Sequence, residues 1–161
     1  MTRTGPEVAA LFDRLGHDLL LSWAGTAGSF ADADLAVARR IGPAGAIVDV
    51  DIAIDFAQAD QLIVNRLMTR RGELTALGHP GYGSRHHELI GEPNTERTRN
   101  LVKLYILQAL RQEPRIEKVL RCVVRPEARP RDTVRIEITV RLLTSATPLN
   151  FVVPFELGGG L

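Results

Sequence analysis

The sequence predicts an α+β fold: central helices packed on a small, mostly antiparallel sheet ending in a three-stranded meander, with an N-terminal helical extension. Two observations carry most of that prediction. The first is a set of alternating runs. Val134, Ile136, Ile138, Val140 and Leu142 alternate with Arg135, Glu137, Thr139 and Arg141, the pattern of a strand with one buried face. Leu149, Phe151, Val153, Phe155 and Leu157 repeat it, and a third strand is expected over about 116–125. The breaks at Pro126–Asp132 and Thr144–Pro148 are short enough for hairpins, so these strands run antiparallel. The second is the nearly unbroken apolar run from Leu101 to Leu110, which Pro114 ends. A helix apolar around most of its circumference is packed on several sides, which makes it the central core helix.

The remaining elements follow in chain order. Residues 6–23 read as an amphipathic helix: Pro6 suits a first helical position, and Val8, Leu11, Phe12, Leu15 and Leu19 recur on one face. Gly16 weakens that helix by about 1 kcal/mol relative to Ala. A small-residue stretch and a short helix over Asp34–Ile41 lead to Gly42-Pro43. Residues 1–43 are therefore expected to be an adaptor, residues 44–157 the main domain and residues 158–161 a flexible Gly tail. Val48, Val50, Ile52 and Ile54 alternate with Asp49, Asp51 and Ala53 as a half-buried strand. Asp55 or Asp60 caps a helix carrying Leu62, Ile63, Leu67 and Met68, which stops around Arg70-Arg71-Gly72. A loop rich in Gly, His and Pro fills 72–93, and Asn94 or Thr95 caps the core helix, with Glu96 in its first turn. Pro154 lacks an N–H, which places the last strand at an edge.

Composition narrows the function classes. The 161 residues are 45% hydrophobic and 24% charged, the balance of an ordinary globular domain. The net charge of +1 argues against a purely electrostatic binder of nucleic acid or anionic membrane. No apolar run reaches the roughly 20 residues that span a bilayer, and the charged N-terminus is no secretory signal, so synthesis in the cytoplasm is expected. The single Cys122 excludes an internal disulfide or a thiol zinc site, and its phase with Ile116, Leu120 and Val124 makes it a small buried hydrophobe. The charge is unevenly placed: residues 1–96 carry −5 and residues 97–141 carry +7, enough to present a basic face to an acidic partner.

No catalytic, metal or cofactor site emerges from the motifs. His79, His86, His87 and Glu88 share one loop, but adjacent histidines in an extended segment point apart and the spacing is not HExxH. They read as an exposed polar loop. The Gly-rich Gly78–Gly83 lacks a P-loop lysine, and Ser84 beside Arg85 and His86 is not a triad by adjacency alone. Glu73, Glu88, Glu92 and Glu113 offer carboxylates, but nothing marks a sugar cleft between two of them. The most pointed feature is Glu113-Pro114-Arg115. Pro114 forces Glu113 out of helical geometry, and in an extended segment Glu113 and Arg115 project to one side, to pair with each other or to present a fork to a partner.

Three motifs stand in order along the chain: Leu67-Met68-Thr69-Arg70-Arg71-Gly72-Glu73 at a helix end, His79-Pro80-Gly81-Tyr82-Gly83-Ser84 in the loop, and Glu113-Pro114-Arg115. Together they resemble the small baseplate wedge family of contractile tails, which includes members labelled lysozyme-like. The resemblance covers roughly residues 45–157. It implies a non-enzymatic part of a phage tail, type VI secretion or injection-system baseplate, in several copies around a sixfold axis. The implied partners are wedge subunits, tail tube or hub neighbours, and a sheath protein that joins by strand addition and polymerises from it. On that implication Glu113, Pro114 and Arg115 form a partner-binding corner. Arg121, Arg125, Arg135 and Arg141, expected on the wet face of the meander, steer an acidic partner. The class alternative is a peptidoglycan hydrolase of the tail; a nucleic-acid module would rest only on the +7 segment.

Overall fold

The computed structural model describes residues 55–143 and 147–158, with side chains from Gln61 onward, together with the backbone of short strands between residues 18 and 53. The chain divides into two compact units, Met1–Val64 and Asn65–Leu161.

In the first unit the described strands pair antiparallel. β1 (Asp18–Leu19) pairs with β6 (Ile52–Ala53), β2 (Leu21–Ala24) with β3 (Asp32–Leu35), and β4 (Val37–Gly42) with β5 (Gly45–Val50). This corrects the helical reading of the extension. Over Asp18–Leu19, Leu21–Ala24, Asp32–Leu35 and Val37–Gly42 the backbone is extended; residues 6–17 of the expected helix lie outside the described residues. The physical reason is pairing. An apolar strand such as Gly45–Val50 leaves a row of backbone donors and acceptors that need partners. Val37 through Gly42 supply them, with the β-branched Val37 opposite Val50 and Ile41 opposite Ala46.

Helix α1 runs from Asp55 to Met68, with Ile63, Val64 and Leu67 buried and Met68 38% exposed. Helix α2 (Glu96–Arg111) starts where the cap chemistry predicts: the Thr95 hydroxyl accepts from the Thr98 backbone N–H at 3.2 Å. Its buried face is a single stripe of Thr98, Val102, Ile106, Ala109 and Leu110, while Leu104 is 46% exposed. The helix is thus amphipathic and not packed on several sides as expected. One apolar face suffices to meet a single layer of sheet, which leaves Leu104 exposed and Leu101 and Leu107 half-buried.

Strands β7 (Ile116–Pro126), β8 (Thr133–Leu142) and β9 (Leu149–Glu156) form the antiparallel meander in the order β7-β8-β9. The inner face joins Val134, Ile136, Ile138, Val140 and Leu142 of β8 to Phe151, Val153 and Phe155 of β9, all buried. In β7 the phase differs from the simple alternation. Register shifts between Ile116 and Lys118 and between Val119 and Arg121 turn Leu120 outward, 39% exposed, while Cys122 stays inside opposite Ile138. A bulge adds one residue to a strand and resets which side chains face in. Burial pushes the Cys122 thiol above its ordinary pKa, as suits a packing residue. Leu157, fully buried, follows β9; its N–H donates to the Asp132 carbonyl at 2.7 Å and its carbonyl accepts from Gly91 N–H at 2.6 Å.

Candidate functional site

The three sequence motifs converge on one another. At the end of α1, Thr69 O accepts from Ser84 N–H at 2.9 Å and Arg71 N–H donates to Ser84 O at 3.1 Å, so the loop motif lies as a short parallel bridge along the helix-end motif. Gly83 permits that approach. A Cβ there would stand 2.6 Å from Thr69 O and 2.8 Å from Arg70 O, and its φ of +94° is one that side-chain-bearing residues avoid. Glu73 Oε2 accepts from Arg70 N–H at 2.8 Å and closes the turn.

The third motif is tied in by charge. The carboxylate of Glu113 accepts from Arg66 Nη2 at 2.9 Å and Nε at 3.2 Å, and its other oxygen accepts from the Arg115 backbone N–H at 3.3 Å. The two side chains are only 8% and 3% exposed. The same guanidinium lies 4.5 Å above the Tyr82 ring, a cation–π contact that joins the loop motif to the pair. The guanidinium that Glu113 meets is that of Arg66, and Glu113 and Arg115 are not presented as an open fork. Both are buried, and only Pro114 of the tripeptide is exposed. The fork fails because the partner of Glu113 sits 47 residues away in α1, beyond the reach of local spacing.

The histidines also depart from the sequence expectation. His86 and His87 belong to a 3-10 turn, His86–Leu89, and not to an extended segment, so their rings lie 4.1 Å apart. Far from an exposed loop, His86 is 2% exposed and packs edge-on against Phe155 of β9 at 4.5 Å. Its Nδ1 is 2.8 Å from Ser84 Oγ, while His87 Nε2 donates to the Leu67 carbonyl at 2.7 Å. Burial first, then the neighbouring His87, pushes the His86 pKa down to about 3. Burial likewise lowers His87. Ser84 and His86 have the contact of a nucleophile and base, but both are buried. Among the described residues no group of three His, Cys, Asp or Glu is placed to hold a metal, and no helix is long and apolar enough to cross a membrane.

The four arginines lie together on the outer face of the meander. Arg125 stands opposite Arg135, Arg121 opposite Thr139, and Lys118 opposite Arg141. Glu137, between them, lies 3.8 Å from Arg121 Nη2 and 3.6 Å from Arg135 Nε. Two residues escaped sequence reasoning altogether: Arg66, hidden in an ordinary helix pattern, and Lys118, whose phase depends on the bulge. An arginine on the apolar side of α1 was the one signal for Arg66.

A helix packed on a three-stranded meander, with its sequence motifs drawn together around one buried ion pair and arginines on the outer face of the sheet, defines a small α+β module. The model of the family described as baseplate wedge protein gp25 matches residues 59–147, more than half of the chain, and the protein belongs to that family. A solved structure named "putative tail lysozyme" from Geobacter sulfurreducens is similar at 25% identity and a TM-score of 0.53, covering 68% of this chain and 100% of that one. No curated protein matches the chain. The protein is thus a component of a tail baseplate.

Proposed function

We propose that the protein is a structural, non-enzymatic baseplate component of a contractile tail or injection system that joins wedge subunits to the sheath and nucleates sheath assembly. The observation that carries this reading is the state of the motif residues. Glu113, the carboxylate in the signature tripeptide, is buried and already holds Arg66 and the Arg115 N–H, so it serves geometry and is not free to act as an acid on a sugar. Glu113 and Arg115 then act through position, setting the angle at which Pro114 and the start of β7 meet a neighbour. The edge strand β9 offers backbone groups for a strand from the sheath, with alternate side chains selecting the register. Arg121, Arg125, Arg135 and Arg141 steer the acidic partner. Within this reading residues 44–157 form the wedge domain, residues 1–43 an adaptor and residues 158–161 a flexible tail. Several copies surround a sixfold axis beside the tail tube, assembled in the cytoplasm before incorporation into the particle.

The test mixes the purified protein with the sheath and wedge subunits of its own system and follows co-assembly by sedimentation and negative-stain microscopy. Rings or sheath nuclei that require this chain support the proposal; a chain that stays apart from every partner overturns it. The similar structure's name favours a second reading, a peptidoglycan hydrolase. A muramidase assay on the intact chain, with Glu113→Gln as control, decides it: turnover that depends on Glu113 would replace the structural reading.

A further inference from the structure

The outer face of the meander is graded in charge along the strands. At the turn between β7 and β8 lie Glu127 and Glu156, flanking Thr133. Next comes the rung Arg125–Arg135–Pro154, then Val123–Glu137–Val152, then Arg121–Thr139–Asn150, and finally Lys118–Arg141, with Glu117 in the adjoining bulge. Two rungs therefore set like charges directly opposite each other, an arrangement that destabilises a sheet. Glu137 lies within ion-pair distance of Arg121 and Arg135, but Lys118, Arg125 and Arg141 have no ion-pair partner among the described residues. Between the two cationic rungs the face is apolar at its margins: Val152 is 44% exposed and Val123 half-buried.

We propose that this face docks a protein segment carrying two clusters of carboxylates separated by an apolar residue, one cluster over Arg125–Arg135 and the other over Lys118–Arg141. The two rungs are six residues apart on β8, or about 20 Å. The apolar residue would sit on Val123 and Val152. Glu137 at the centre and Glu127 and Glu156 at one end repel a continuous phosphate backbone, which favours an acidic protein segment over nucleic acid. The same end carboxylates make the face directional, so the segment lies in one orientation. The inference deepens the proposed steering of an acidic partner and rests on that reading, but it needs no baseplate subunit to test.

The experiment titrates the intact chain against two synthetic peptides of equal charge and follows fluorescence anisotropy at low and high salt. One carries two Glu pairs centred about six residues apart with Leu between them; the other carries the same glutamates in one block. Thermal unfolding of Arg125→Thr plus Arg141→Thr runs alongside. The spaced peptide is expected to bind roughly tenfold tighter than the block, an advantage the double substitution removes while leaving the melting temperature equal or higher at low salt. Equal binding of both peptides would overturn the proposal, as would tighter binding of random-sequence duplex DNA. A double variant that melts lower would show that the arginines serve the fold. Failure of co-assembly with sheath and wedge subunits, by contrast, would leave these outcomes readable.

Discussion

The motif cluster and the outer sheet face treat charge in opposite ways. In the cluster, Arg66 and Glu113 are buried and matched to each other, with Tyr82 beneath the guanidinium. On the face, like charges stand opposite each other and remain in water. A buried pair punishes the loss of either member, because the survivor becomes an uncompensated charge in a poor solvent. An exposed, unbalanced set contributes little to the fold and leaves its field available to a partner. The residues that look most like a site in the sequence thus hold the scaffold, and the plainer arginines are the ones exposed to encounter.

Substitutions can break this contrast at graded cost. Gly83→Ala is expected to do most damage, since its Cβ would fall 2.6 Å from a backbone oxygen at a positive φ. A loss of at least about 3 kcal/mol in urea unfolding, or failure to fold, is the expected outcome. Glu113→Ala strands Arg66 and should cost about 3–5 kcal/mol by the same measurement. Combining Glu113→Leu with Arg66→Met should recover much of that loss; a double variant no better than the single would mean that the pair does more than balance charge.

Acid probes the cluster from another side. The His86 pKa is depressed to about 3, so the folded state resists a proton that the unfolded chain accepts near 6.5. The stabilisation from neutral His86 is complete above that unfolded value and is lost as pH falls toward 3. By pH 4 the loss is about 3 kcal/mol. Circular dichroism melts from pH 7 to 4 should show the decline, and His86→Phe should flatten it. The smallest effect belongs to the face: Arg141→Thr alone should change stability by no more than about 0.5 kcal/mol, upward at low salt. A large loss there would erase the distinction between the two regions.

The meander was legible because β8 and β9 obey period two with one dry face, and a strand of that kind has one way to sit. The start of α2 was legible because Thr95 supplies the acceptor that the first helical N–H groups require. Three things were not. Leu120 faces out because of bulges, and an inserted residue leaves no mark in a hydropathy pattern. The strands between residues 18 and 53 arise from pairing between segments, which local helix periodicity does not contain. Arg66 meets Glu113, and His86 meets Phe155, across gaps set by tertiary packing. The acid of the tripeptide was visible in the sequence; its burial was not.

The pinned end of β9 has a mechanical consequence. Leu157 is clamped on both sides, to Asp132 and to Gly91, at the point where the chain leaves the sheet. A pull along β9 therefore meets the hydrogen bonds to β8 side by side, in shear, with a buried leucine as the stopper. A pull across the sheet would instead open them one after another, as a zipper opens. The strand at the edge of the meander is built to bear tension along its length and to yield to a sideways tug.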